Sequence, residues 1–289
     1  MNILLEYLKV FLIAIVEGIT EWLPVSSTGH MILLENLMPL QAMSPNFYSM
    51  FLYVIQFAAI LAVIVYFFFR LNPFSPQKSG EDKKATWRIW KTVLIGVLPA
   101  AAIGLLLDDW IDKHIVQSNF GTYIVAAMLI VYGVLYIVIE RRKTRSGFRI
   151  ASLEQFTWKD ALLIGLFQCL SIIPGTSRSG STILGGMVLG VSRGASAEYS
   201  FFMAIPIMAG VSLLKVSKYV LSSLGGEAGY TCTGDEIGLL AFGAVIAFTV
   251  SLICIRFLMD FVRRHSFEAF GWYRVVLGAL VLLYFGIFV

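Results

Sequence analysis

The sequence predicts an all-α polytopic membrane protein, an inverted-topology repeat with six spanning helices plus two re-entrant helical hairpins. Three observations predict it. Apolar runs approach bilayer length, basic residues gather in alternate loops, and a polar motif near the start returns in altered form halfway along the chain.

Of the 289 residues, 58% are hydrophobic and only 14% are charged, far below the roughly 25% of a soluble domain. Runs near 47–69, 89–107, 119–140, 198–221, 236–257 and 269–289 each approach the roughly 20 residues that a spanning helix needs. The first residues do not read as a cleavable signal, because Glu6 and Lys9 interrupt the apolar stretch and no small-residue cleavage site follows. Cys169, Cys232 and Cys254 are scattered and read as small hydrophobes rather than a disulfide framework. No CxxC, HExxH or GxxxxGK(S/T) pattern occurs, which leaves zinc and P-loop chemistry without support.

Sixteen of the 22 Lys and Arg residues fall in three segments. Segment 70–91 holds Arg70, Lys78, Lys83, Lys84, Arg88 and Lys91, and segment 140–159 holds Arg141, Arg142, Lys143, Arg145, Arg149 and Lys159. Segment 256–274 holds Arg256, Arg263, Arg264 and Arg274. The loops between carry Asp108, Asp109, Asp112 and Lys113, or Glu227, Asp235 and Glu236. The positive-inside rule puts the three basic segments in the cytoplasm and the other two loops outside. Segment 160–190 must then enter and leave on the cytoplasmic side. Pro174, Gly175, Gly180, Gly185 and Gly186 interrupt it, and a re-entrant helical hairpin satisfies the topology.

"LPVSSTGHMIL" (23–33) lies over "IPGTSRSGSTIL" (173–184) once one residue is inserted. "FLYVIQ" (51–56) matches "FFMAIP" (201–206), and "FGTY" (120–123) matches "FGWY" (270–273). Residues 1–289 therefore read as a single membrane domain. Repeat one, 1–145, is a hairpin (1–35) plus three spanning helices; repeat two, 155–289, is a hairpin (160–190) plus three more. Three crossings invert the second copy, so the hairpins enter from opposite sides and their polar tips meet near the midplane.

The tips carry chemistry. Glu17 and Glu21, spaced i, i+4, share one helical face. Two bare carboxylates at low dielectric repel, so the pair either shares a proton or holds a divalent cation, Mg²⁺ or Ca²⁺. Ser26, Ser27 and Thr28 follow Pro24, and each could cap the next helix. Ser27 and His30 stand one helical turn apart, where an imidazole serves a hydroxyl as general base or attacks phosphorus itself. Glu6 and Glu35 read as solvated or interfacial, and His114 and His265 as loop residues. In the second tip Arg178 is an arginine at membrane depth, suited to bidentate grip on phosphate or to neutralising a glutamate opposite. Thr176, Ser177, Ser179, Ser181 and Thr182 surround it, with Gly175 and Gly180 allowing close backbone approach. Acidic groups for a metal, a nucleophile or base, and a basic hydroxyl-rich cradle are what phosphoryl transfer requires.

At "EGITEWLPVSSTGH" (17–30) and "PGTSRSGST" (174–182) the chain resembles the undecaprenyl-pyrophosphate phosphatase family, the bacitracin-resistance proteins, and the resemblance runs over essentially its whole length, including "ASAEYSFFMAIP" (195–206). It implies an undecaprenyl-diphosphatase of the bacterial inner cell membrane that removes the terminal phosphate of undecaprenyl pyrophosphate, recycles the carrier for peptidoglycan synthesis and confers bacitracin resistance. By the same resemblance Glu17, Glu21, Ser27 and His30 are catalytic, with Glu17 and Glu21 as metal ligands. The resemblance also has Arg178, Ser177, Ser179 and Thr182 bind substrate and the site face the extracytoplasmic side, and the tip's own hydroxyls add Ser26 and Thr28 as substrate-binding candidates. Trp22 departs from the more familiar Phe without touching the chemistry. Gln168 is expected to line the site and Glu198 to be interfacial.

A flippase or transporter of polyprenyl phosphate is the alternative, since inverted repeats are a transporter trait. His30 beside Ser27 favours the enzyme, because gripping needs no nucleophile. A structural scaffold explains neither tip. The expected partners are the polyprenyl pyrophosphate lipid and membrane lipids, no nucleic acid, with a homodimer left open.

Overall fold

In the computed structural model the described residues are 3–116, 118, 120–143 and 147–288. Met1, Asn2 and Val289 at the limits of the expected repeats, Arg145 of the second basic segment, and the side chains of Asp108, Asp109, Asp112 and Lys143 lie outside them. Among the described residues the helices are α1 (Ile3–Thr20), α2 (Ser27–Leu37), α3 (Pro45–Tyr66), α4 (Phe68–Leu71), α5 (Gly80–Ile111), α6 (Gly121–Lys143), α7 (Trp158–Cys169), α8 (Arg178–Val188), α9 (Arg193–Leu224), α10 (Gly234–Arg264) and α11 (Glu268–Phe288). Six of them, α3, α5, α6, α9, α10 and α11, are long and apolar enough to cross a membrane.

Helices overrun the apolar runs that predicted them. α5 begins at Gly80, so Lys83, Lys84, Arg88 and Lys91 sit on helical turns rather than in a loop. The reason is local: lysine and arginine are good helix formers, and Glu81 and Asp82 in the first turn complement the helix dipole.

Between the spanning helices stand two hairpins. α1 turns at 21–25 into α2, and α7 turns through 170–177 into α8, each turn holding a proline, Pro24 or Pro174. α2 and α8 have 11 residues each. At 1.5 Å per residue that is about 16 Å, roughly half the hydrocarbon thickness. Both return helices start the same way. Ser26 (φ 73°) and Ser177 (φ 71°) are the non-glycine residues with positive φ among the described residues. Each hydroxyl accepts from the amide three residues on, Gly29 N at 3.4 Å and Gly180 N at 3.1 Å. Gly175, also at positive φ, lets the second tip lie flat on α6, where a Cβ would stand 2.5 Å from the Val125 carbonyl oxygen.

Polar contacts sort the helix ends. At the basic end Arg70 pairs with Glu198 and with Glu154 (3.0 Å), and Glu140 receives Arg193 (2.6 Å) and the Phe267 amide (3.0 Å). Asp160, beside the start of α7, pairs with Arg149. Glu198 thus sits in an ion-pair cluster at the end expected of it. At the opposite end Glu236 caps α10 and accepts from the Ser44 amide at the start of α3 (2.9 Å). Glu6 there is buried in the protein and not solvated. It pairs with Lys9 (2.8 Å) and accepts from the Gln41 and Ala42 amides, because the segment leading into α3 folds back over the start of α1. The two hairpins therefore enter from opposite ends of the bundle.

α1 packs along α10 as α7 packs along α5, while α3 pairs with α9 and α6 with α11. The α5–α7 approach is backbone to backbone: a Cβ on Gly165 would lie 2.2 Å from the Gly96 carbonyl oxygen. Trp22, Phe67, Phe201 and Phe202 fill the centre, with edge-on contacts of 5.1 Å between Trp22 and Phe201 and between Phe67 and Phe202. Outward, Leu105, Leu106, Leu213 and Leu224 are exposed, as befits side chains that meet lipid rather than water.

Candidate active site between the hairpin tips

The tips meet. Glu21, at the end of the first half-helix, presents Oε1 to Arg178 Nη2 at 2.8 Å. Its Oε2 accepts from Ser27 Oγ at 2.9 Å. Arg178 also donates from Nη1 to the Ser200 carbonyl oxygen (2.9 Å), which aims the guanidinium across the gap from α8 towards α1 and α9. Trp22 floors it, with its ring centroid 6.0 Å from the guanidinium carbon, at the limit of a cation–π contact. Ser179 Oγ lies 3.3 Å from the Glu21 carbonyl oxygen and 3.1 Å from Ser177 Oγ.

The expected Ser27–His30 pair is corrected. Ser27 donates to Glu21, and His30 turns to Tyr273, whose Oη lies 2.6 Å from Nε2; its Nδ1 is 2.7 Å from the Ser26 carbonyl oxygen. The one-turn spacing is real, but Ser27 reaches the Glu21 carboxylate across the hairpin and the His30 ring reaches Tyr273 of α11, so the two side chains take different partners.

Glu17 is buried, and neither carboxylate oxygen has a hydrogen-bond partner among the described residues. It feels the charge of Glu21 four residues on. An orphaned buried carboxylate beside a second one needs a proton or a cation. Among the described residues no group of three or more His, Cys, Asp or Glu side chains gathers to hold a metal. Two carboxylates still fit Mg²⁺, which usually takes one or two and completes its shell with water and substrate phosphate oxygens. Gln168 is likewise buried with both amide atoms unpartnered.

Other hydroxyls serve the scaffold. Ser26 is the cap of α2, whereas Thr28 is exposed. Thr176 bonds to the Leu170 and Ile173 carbonyls, Ser181 to Tyr132, and Thr182 to Ser200 (2.7 Å) and the Arg178 carbonyl.

Arg274 is the second correction. Counted among the topology charges, it is instead fully buried on the inner face of α11. It donates to the Pro24 carbonyl oxygen (3.0 Å) of the first tip and to those of Gly175 (2.7 Å) and Thr176 (3.0 Å) of the second. One guanidinium thus ties both tips. Its signal was present: it lies six residues inside the apolar run that forms α11, about 9 Å from the helix start. Tyr273 and Ser200 carried no sequence signal of their own.

Ionisable groups of both signs, held at helix breaks inside an apolar bundle, define a polytopic membrane protein with a buried polar cluster suited to an anionic group. Within that class the chain belongs to the bacitracin resistance protein BacA family, whose model matches residues 10–280. It is 49% identical over 278 residues to the undecaprenyl-diphosphatase of Latilactobacillus sakei subsp. sakei (strain 23K), covering 96% of this chain and 97% of that protein. It is 48% identical over 276 residues to the undecaprenyl-diphosphatase of Enterococcus faecalis (strain ATCC 700802 / V583), covering 96% of each. It is 50% identical over 282 residues to undecaprenyl-diphosphatase 1 of Clostridioides difficile (strain 630), covering 98% of this chain and 97% of that protein.

Proposed function

We propose that the chain hydrolyses undecaprenyl pyrophosphate to undecaprenyl phosphate and inorganic phosphate, recycling the lipid carrier for peptidoglycan synthesis and thereby conferring bacitracin resistance. The observation that carries this is the Ser27–Glu21–Arg178 chain across the two tips, in a family whose relatives bear that enzyme's name.

Arg178 is the anion-gripping group, because its planar fork matches phosphate geometry and Glu21 holds it in place until substrate arrives. Glu21 accepts the Ser27 proton along the hydrogen bond already made, which makes Ser27 a nucleophile with its base in contact. His30, with its own partners, is a second candidate attacker or the group that protonates the leaving oxygen. Ser177 and Ser179 offer hydroxyls beside Arg178, Ser26 and Thr182 brace the two tips, and Thr28 at the start of α2 is exposed and open to substrate. Glu17 and Glu21 would hold a divalent cation, which when bound would neutralise charge on the transferred phosphoryl group.

The site is proposed to face outward, with the basic end in the cytoplasm by the positive-inside rule. The matched packing of α1 on α10 and α7 on α5, with the paired Ser26 and Ser177 caps, supports an inverted repeat of 1–145 and 155–289. The transporter reading draws no support from the relatives' names.

Phosphate release from undecaprenyl pyrophosphate by purified protein in detergent with Mg²⁺ tests the proposal, since no two sides exist there. Absence of release sinks it. In right-side-out vesicles, phosphate appearing in the lumen rather than the medium would overturn the outward-facing site.

A further inference from the structure

His30 is held at both ring nitrogens. Nδ1 lies 2.7 Å from the Ser26 carbonyl oxygen, which only accepts, so in the neutral ring Nδ1 carries the proton and Nε2 the lone pair. The hydroxyl of Tyr273 donates to that lone pair at 2.6 Å. The two rings lie nearly parallel, 4° apart with centroids at 5.7 Å.

The two grips on the imidazole differ in kind. The Ser26 carbonyl belongs to the buried cap of α2, one turn from His30 on the same helix. Tyr273 comes from α11 and is 47% exposed, and its hydroxyl has no other hydrogen bond among the described residues. Its backbone is nevertheless firmly placed, because the next residue, Arg274, is fully buried and bonded to both tips. A phenol with a fixed base and one yielding contact is built to be displaced.

We propose that Tyr273 is a positioning residue for His30, whose hydroxyl sets Nε2 as the lone-pair nitrogen and covers it until an incoming phosphate group displaces the phenol. This rests on His30 reacting through that lone pair, as an attacker or as a base that takes a proton before passing it to the leaving oxygen. A ring held at both nitrogens neither rotates nor exchanges tautomers, so its orientation is settled before substrate binds. Once displaced, the phenol O–H has the phosphate oxygens as new acceptors.

The full chain in detergent provides the test, with Tyr273→Phe keeping the ring and deleting the donor. Diethyl pyrocarbonate modifies unprotonated imidazole nitrogens and requires no turnover, and peptide mass spectrometry reads each histidine separately. Modification of His30 should be about fivefold faster in Tyr273→Phe, the worth of one net hydrogen bond, while exposed His114 and His265 react alike in both proteins. An unchanged rate at His30 overturns the covering role. In turnover the variant should lose kcat several-fold without a higher KM. A raised KM at unchanged kcat makes Tyr273 an ordinary substrate contact and also overturns the proposal. Nitrogen NMR of the histidine-labelled unsubstituted protein needs no variant: His30 protonated on Nδ1 is expected, and the Nε2–H tautomer refutes the assignment. A protein that releases no phosphate at all would sink the enzyme reading, yet leave the modification and NMR results standing.

Discussion

Glu21 and Arg178 stand 157 positions apart in sequence and 2.8 Å apart in space, joined where two helix breaks from opposite ends of the bundle touch. The ion pair is nearly buried, its side chains only 7% and 12% exposed, so neither charge is free of the other. Breaking such a pair by removing one partner costs about 3–5 kcal/mol, mostly because the survivor is left uncompensated.

Arg178→Lys keeps the charge but loses the fork that reaches Glu21 and Ser200 together. The fold should persist, with turnover falling on the order of 100-fold, the range seen when one aimed donor is removed from a developing charge. Steady-state phosphate release checks it, and near-normal turnover would remove Arg178 from the phosphate site.

Glu17→Gln and Glu21→Gln should differ in stability. Glu17 has no hydrogen-bond partner among the described residues and without a cation takes a proton, so its neutral isostere should leave Tm in chelator nearly unchanged. Glu21→Gln strips Arg178 of its partner and should lower Tm. Mg²⁺ should then stabilise the unsubstituted protein and neither variant. Thermal scans with and without the ion decide, and equal shifts in all three proteins would strike both residues from the ligand set.

Arg274→Lys should destabilise the chain by at least about 2 kcal/mol, since an ammonium cannot span three carbonyls on two segments and buried acceptors are left unmade. Hydrogen exchange should quicken at 25–27 and at 175–177 together. Quickening at only one tip would show that the guanidinium does not couple them.

Ser177→Gly and Ser177→Ala separate cap from conformation. Glycine accepts φ 71° and gives up a few tenths of a kcal/mol as a cap, so Ser177→Gly should be close to neutral. Ser177→Ala keeps the unfavourable backbone and loses the hydroxyl, costing about 1–2 kcal/mol. Denaturation midpoints of the pair give the answer, and equal losses would contradict it.

Rapid quench with labelled substrate distinguishes the attacker. With Glu21 as its base, Ser27 should carry a transient phosphoryl group that Ser27→Ala abolishes and His30→Ala preserves. An acid-labile adduct on His30 would reverse the roles.

Six spans, two hairpins and the meeting of Glu21 with Arg178 were legible because each follows from strong, long-range rules. Apolar length marks crossings, proline and glycine mark breaks, and a charge at membrane depth seeks its opposite. What failed was local. Helical spacing lets Ser27 and His30 meet, but it does not rank that contact against Glu21 on the other arm of the hairpin or Tyr273 on α11, which take the two side chains instead. Arg274 was counted with its basic neighbours because a charge near a helix end reads as topology until its depth is known. Glu6 depended on a loop folding back over it, a contact that no pattern within α1 encodes.

Arg274 also dictates an order of manufacture. The ribosome makes both tips before it makes α11, so the Pro24 carbonyl through most of translation, and those of Gly175 and Thr176 through about a third of it, await a donor not yet synthesised. Helices inserted early have to tolerate that vacancy, and the cluster closes only when α11 docks beside α6. A nascent chain stalled ahead of Arg274 would hold Glu21, Ser27 and Arg178 in the bilayer yet lack the clasp that sets them against each other.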